Sequence, residues 1–129
     1  LDAAGARATL AVLTNKPIAP TRRLLDAFDL SRRFRWTIGG DSPFGRKPDP
    51  AGLCHLMDQA AAGPENTLLV GDSMIDVLTA RNAGVEAVVA LYGFGEARGE
   101  LVLEPPERRA RTTADVGAAV AAWLEQRGF

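Results

Sequence analysis

The sequence predicts an α/β domain built on a doubly wound parallel sheet, and three observations carry that reading. Short apolar runs alternate with segments of helical periodicity, the order that gives a parallel sheet covered on both faces. The run Thr67-Leu68-Leu69-Val70 ends in Gly71 and is followed by Asp72 and, four positions on, Asp76. A buried strand followed by a tight turn thus delivers carboxylates to a sheet end, where ligands and metals bind in open α/β folds. Finally, 129 residues allow one domain at most, long enough for a core but at the short end for this architecture.

The elements follow in order. Leu1-Asp2-Ala3-Ala4-Gly5 reads as the tail of a helix with its C-terminal glycine. Residues 10–13 form a short apolar run that ends at Thr14-Asn15, a strand. Residues 20–28 have helical spacing, with Leu24, Leu25 and Phe28 on one face. A second strand is predicted over 35–38, closed by Gly39-Gly40-Asp41. Asp49 then Pro50 is a helix start, a cap followed by a residue whose missing N–H costs nothing there. That helix runs to about residue 62 and stops at Gly63-Pro64, with Leu53, Leu56, Met57 and Ala60 as its apolar face. The third strand is 67–70, a helix over 74–83 ends at Gly84, and the fourth strand is 87–91. Residues 93–109 read as loop, Thr112-Thr113 closes a short edge strand, and Asp115 caps a last helix through Gln126.

Hydrophobic content of 47% and a formal charge of -1 describe an ordinary soluble globular protein. No basic excess points to nucleic acid, and no apolar stretch approaches the roughly 20 residues of a membrane span. A single cysteine, Cys54, excludes an internal disulfide and suits a reducing, cytoplasmic setting.

Three strand ends carry the chemistry. Asp72 falls on a strand-to-helix turn and Asp76 in the first helical turn, where the helix dipole favours a carboxylate. Two hard anionic donors there suit a magnesium ion, which takes one or two carboxylates plus water and phosphate oxygens. Equally, a capping acid and a dipole-compensating surface acid would account for both. Thr14-Asn15-Lys16-Pro17 offers a hydroxyl, an amide and backbone N–H groups that can hold a phosphoryl oxygen, or is a plain polar turn. The loop Gly45-Arg46-Lys47-Pro48-Asp49-Pro50 holds one of only two lysines, against thirteen arginines. Where arginine serves as the general basic residue, a compact ammonium kept at Lys47 favours a specific task, neutralising both a carboxylate and a phosphoryl oxygen.

In chain order, a Thr-Asn strand end, a Lys-Pro loop and a Gly-Asp-x-x-x-Asp strand end resemble the haloacid dehalogenase-like superfamily, most closely its phosphoglycolate phosphatase-like branch. The resemblance covers residues 7–95, the second half of that family's Rossmann-like core domain. It implies that Thr14 binds the transferring phosphoryl group, with Asn15 beside it as a substrate contact. It also implies that Lys47 steadies nucleophile and phosphoryl charge, that Asp72 is a magnesium ligand, and that Asp76 is the second acid, orienting metal-bound water or the lysine. The implied activity is a magnesium-dependent phosphatase acting on a small phosphorylated metabolite through an aspartyl-phosphate intermediate.

The departures are as informative. The family carries an Asp-x-Asp pair after its first strand, nucleophile and general acid, and no Asp-x-Asp occurs in these 129 residues. The cap that follows that motif is also missing. The expectation is therefore the C-terminal portion of a longer core domain, with the N-terminal segment of the same parent chain as its missing partner. In the family's sheet the nucleophile strand lies between the strands ending at Thr14 and at Asp72. Without it those strands stand roughly 10 Å apart, with unpaired backbone groups that are costly to leave buried. Either another segment fills the place or the two strands shift and pair. A non-catalytic binding or regulatory domain, a sugar-phosphate mutase and a hydrolytic dehalogenase are the alternatives. His55 reads as an exposed residue off the helix's apolar face and Cys54 as a small buried hydrophobe. Gly93-Phe94-Gly95 is no dinucleotide fingerprint, because Arg98 stands where the third glycine is needed. Arg108, Arg109 and Arg111 read as a solvated basic edge.

Overall fold

The computed structural model describes residues 1–91 and 107–129, and the predicted alternation is present in it. In chain order come α1 (Asp2–Gly5), β1 (Ala11–Leu13), α2 (Ile18–Ala27), β2 (Trp36–Ile38), α3 (Ala51–Ala60), β3 (Leu68–Gly71), α4 (Met74–Ala83), β4 (Glu86–Ala90), β5 (Arg108–Ala110) and α5 (Thr113–Gln126). Every strand pair is parallel: β1 with β2, and β3 with β4 and β4 with β5.

Local chemistry sets the helix ends. The Asp41 carboxylate accepts the Ile18 N–H at 2.9 Å, so α2 is capped from the loop after β2. Asp49 accepts from Ala51 N–H at 2.9 Å and starts α3 as predicted. That helix stops earlier than the sequence implied, at Ala61 with φ 52° rather than at Gly63. Gly84, at φ 72°, ends α4 in the left-handed conformation glycine adopts without strain. The cap of α5 is Thr112, not Asp115; the two exchange hydrogen bonds as a capping box. Residues Gly93-Phe94-Gly95 lie outside the described residues. Arg108 and Arg109, however, belong to β5 rather than to a loop, and Arg108 reaches the side chain of Gln126 at 3.0 Å.

The core is built against β4. Leu53 and Met57 of α3, Ala80 of α4, and Val85 and Ala87 form one buried cluster, with Leu13 and Leu69 packed on it. Val77, Val89 and Leu91 continue that face, with Met74 against them. Alternation turns the fully buried Val88 to the other face, where α5 lies on β4 and β5 and buries Trp123 and Leu124. The Arg127 guanidinium stacks 4.2 Å from the Trp123 ring and pairs with Glu86 at 2.8 Å.

The sheet is in two pieces. Among the described residues nothing pairs with the inner edges of β1 and β3. Neither expected remedy is seen: the strands do not shift together, and no described segment fills the place between them. Leu13 of β1 and Leu69 of β3 share the cluster under α3, which holds the two halves on one face. Val70, a mid-strand residue, is 45% exposed. Of the predicted apolar face of α2, Leu24 and Phe28 are uncovered, at 48% and 68% exposure, while Leu25 is half-buried.

Candidate active site

The site is assembled from the loops after β1, β2 and β3. At the end of β3, Gly71 allows Asp76 to fold back over the strand; a Cβ at Gly71 would lie 2.3 Å from Asp76 Oδ2. Asp76 is only 6% exposed. Its Oδ2 accepts the Asp72 N–H at 2.9 Å and the Ser73 hydroxyl at 3.3 Å. Its Oδ1 accepts from Lys47 Nζ at 2.5 Å, an ion pair whose two side chains are 14% and 9% exposed. Burial alone would push the Asp76 pKa up. The Lys47 hydrogen bond and charge, with the hydrogen bonds from Asp72 and Ser73, outweigh it and hold the carboxyl below the ordinary aspartate value.

Lys47 is held at its backbone. Asn15 Oδ1 accepts the Lys47 N–H at 2.7 Å, and Asn15 Nδ2 donates to the Lys47 carbonyl at 3.0 Å. The next peptide, Lys47–Pro48, is cis, and Asn82 of α4 donates to the Pro48 carbonyl at 3.0 Å. Arg46 donates to the Asn15 carbonyl at 3.0 Å. Gly40 closes the arrangement, because any Cβ there would stand 2.0 Å from the Asn15 carbonyl oxygen. The Thr14 hydroxyl accepts the Lys16 N–H at 3.1 Å, and its own proton has no acceptor among the described residues.

Five residues were singled out in the sequence. Lys47 and Asp76 meet directly, and Asn15 is joined to Lys47. Thr14 heads the same loop as Asn15. Asp72 is exposed, and its carboxylate has no partner among the described residues. Asn15 bonds the Lys47 backbone through both ends of its amide. Asp76 has both oxygens hydrogen-bonded, one of them to the lysine, which is one of the two partners the resemblance implied for it. Among the described residues no three His, Cys, Asp or Glu side chains converge, and at this strand end Asp72 offers an exposed carboxylate. One such group fits magnesium, which fills its remaining positions with water and phosphate oxygens. Sequence reasoning missed Arg46, Ser73 and Asn82, which bind backbone or a neighbour's carboxylate and carry no motif of their own. His55 is half-buried rather than exposed, stacked on Phe44 at 4.2 Å. Cys54 packs partly buried on the core, and Ala60 is exposed.

With this geometry established, similarity to known proteins is informative. The profile of the haloacid dehalogenase-like hydrolase family matches residues 3–90, and the chain belongs to that family. It is 47% identical over 89 residues to phosphoglycolate phosphatase 1 of Pseudomonas aeruginosa, an overlap of 69% of this chain and 33% of that protein. A phosphoglycolate phosphatase of Pseudomonas fluorescens is 45% identical over the same length, with the same coverage. The chain thus spans about a third of the length of these relatives. A crystal structure described as a predicted phosphoglycolate phosphatase from Haemophilus somnus superposes with a TM-score of 0.80 at 30% identity, covering 92% of this chain and 52% of that one. No helix among the described residues is long and apolar enough to cross a membrane.

Proposed function

We propose that this chain is the C-terminal portion of the core domain of a magnesium-dependent, cytoplasmic phosphatase acting on a small phosphorylated metabolite of the phosphoglycolate type. The observation that carries the reading is the buried Lys47–Asp76 pair at 2.5 Å beside the uncommitted Asp72 carboxylate. A buried ammonium fixed by one acid, next to a free acid at the same strand end, suits binding of a dianionic phosphate. The names of the relatives support the substrate class.

The division of labour follows from the side chains. Lys47 neutralises charge on the phosphoryl oxygens, and Asp76 holds its ammonium in place. The free hydroxyl proton of Thr14 binds a phosphoryl oxygen. Asp72 would hold a magnesium ion, which would supply positive charge to offset that of the phosphate. Such chemistry is mostly positioning and charge neutralisation. The nucleophile is assigned to an aspartate on a strand that completes the sheet between β1 and β3. Its carboxylate oxygen attacks phosphorus as the P–O bond to the alcohol breaks, and the second aspartate of the same Asp-x-Asp gives the alcohol oxygen its proton. Water then cleaves the resulting aspartyl-phosphate to phosphate and the free carboxylate. The open inner edges and the exposed Val70 support that placement.

The test is phosphate release from an aryl phosphate and from phosphoglycolate, by the chain alone and by the chain mixed with a strand segment bearing Asp-x-Asp. Turnover is expected only in the mixture and only with magnesium. Turnover by the purified chain alone, abolished in Asp72→Asn, would overturn the assignment of the nucleophile.

A further inference from the structure

We infer that Asn15 is a positioning residue that sets Lys47 for phosphate, and that it does not contact substrate. The inference rests on reading Lys47 as the phosphate-neutralising cation. Asn15 meets Lys47 as one strand meets another: its amide oxygen accepts the Lys47 N–H at 2.7 Å and its amide nitrogen donates to the Lys47 carbonyl at 3.0 Å. Two hydrogen bonds from one planar group fix both the place and the tilt of the lysine's peptide unit. The lysine stem is flexible, with four carbons between Cα and the ammonium, so an unanchored backbone would leave the charge free to wander. With the backbone clamped here, Nζ arrives 2.5 Å from Asp76.

The amide is the group this place requires. Aspartate would keep the acceptor for the Lys47 N–H but set an anionic oxygen against the Lys47 carbonyl. Alanine loses both bonds. Glutamine adds a methylene and would push the loop away. The Asn15 backbone is itself fixed, its carbonyl held by Arg46 at 3.0 Å and packed on Gly40 where no side chain fits. The clamp is therefore anchored at both ends. It carries a catalytic geometry from the loop after β1 to the loop after β2.

Amide hydrogen exchange on the 129-residue chain tests this directly, in the parent, Asn15→Ala and Asn15→Asp, with Val88 as the core reference. The Lys47 N–H is expected to be protected in the parent, at least tenfold faster in Asn15→Ala, and intermediate in Asn15→Asp, while Val88 is unchanged. Equal Lys47 exchange in all three would overturn the clamp. Parallel acceleration at Val88 would overturn it too, since Asn15 would then support the whole fold. In the active mixture described above, a positioning role predicts that Asn15→Ala lowers kcat about 10- to 100-fold with KM within twofold, the usual effect of losing a group that orients a functional side chain. A rise in KM with kcat unchanged would make Asn15 a substrate contact instead. Exchange needs no turnover, so a failed phosphatase reading and a failed clamp give different results.

Discussion

Replacing Lys47 by methionine keeps most of the stem and removes the charge. The structure sets the expected size of the effect. The Lys47–Asp76 pair is nearly enclosed, with side-chain exposures of 14% and 9%. Breaking such a pair by removing one partner costs about 3–5 kcal/mol, because the other charge stays buried. Asp76 keeps its bonds from the Asp72 N–H and the Ser73 hydroxyl, which places Lys47→Met near the lower figure. About 3 kcal/mol is roughly a hundredfold in the folded-to-unfolded ratio.

The pH dependence gives a sharper check. In the parent, the folded pKa of Asp76 lies below the ordinary value of 3.8. The stabilisation it contributes is complete above that ordinary value and is lost as pH falls through the depressed folded one. Without Lys47, its hydrogen bond and charge no longer oppose burial, and the folded pKa rises from its position in the parent. Relative to the parent, the mutant is then penalised above its raised folded pKa, and the penalty fades as pH falls through it. The gap between parent and mutant must therefore narrow from pH 7 towards pH 3.5. Urea unfolding followed by circular dichroism at the two pH values measures it, and Asp76→Asn completes the double-mutant cycle. A gap below about 1 kcal/mol at pH 7, or one that widens on acidification, would refute the reasoning.

Gly71→Ala should force Asp76 away, since the new Cβ would fall 2.4 Å from the Asp76 Cβ; a loss of about 1–3 kcal/mol is expected in urea unfolding, with smaller further loss when Asp76→Ala is added. Asp72→Asn touches an exposed carboxylate without a described partner, so stability should stay within about 0.5 kcal/mol while magnesium affinity of the active mixture, followed by calorimetry, drops about tenfold or more. Lys47→Arg keeps the charge but substitutes a planar head for a compact one; a fall of about 100- to 1,000-fold in kcat is expected, and a change of less than threefold would show that Lys47 does not serve the phosphate.

Legibility in the sequence tracked how much a feature depends on its neighbours. β3 and β4 stood out as apolar runs, although packing buries four of the five residues of β4 and leaves β3 only partly covered, with Val70 exposed. β5 was expected as a short edge strand closing at Thr112-Thr113, but it lies earlier, at Arg108, Arg109 and Ala110, of which only Ala110 is fully buried. The charges of that strand are tolerated because Arg108 has Gln126 and Glu86 within reach, which no local pattern can announce. Gly84 as a helix stop was visible, whereas a non-glycine stop at Ala61 was not, because its left-handed φ carries no residue signature. At the site, residue types marked Lys47, Asp72 and Asp76. The resemblance left Asp76 between metal-bound water and the lysine, and the structure shows the bond to the lysine, with Asp76 folded back over Gly71. Asn15 was recognised as important, but its bonds to the Lys47 backbone were not foreseen, since a side chain that binds backbone looks the same in sequence as one that binds a ligand.

The seam through the sheet ties these points together. Thr14, Asn15 and Lys47 follow strands of one half, while Asp72 and Asp76 follow β3 in the other. Polar links cross between the halves: Lys47 to Asp76, and Asn82 to the Pro48 carbonyl. On one face α3 adds the apolar contacts that Leu13 and Leu69 share. A strand entering between β1 and β3 would satisfy two open edges and cover Val70. It would also bring its own end beside Lys47 and Asp72. Stability and chemistry therefore make the same demand on this seam, and a segment that restores one without the other would contradict the proposed site.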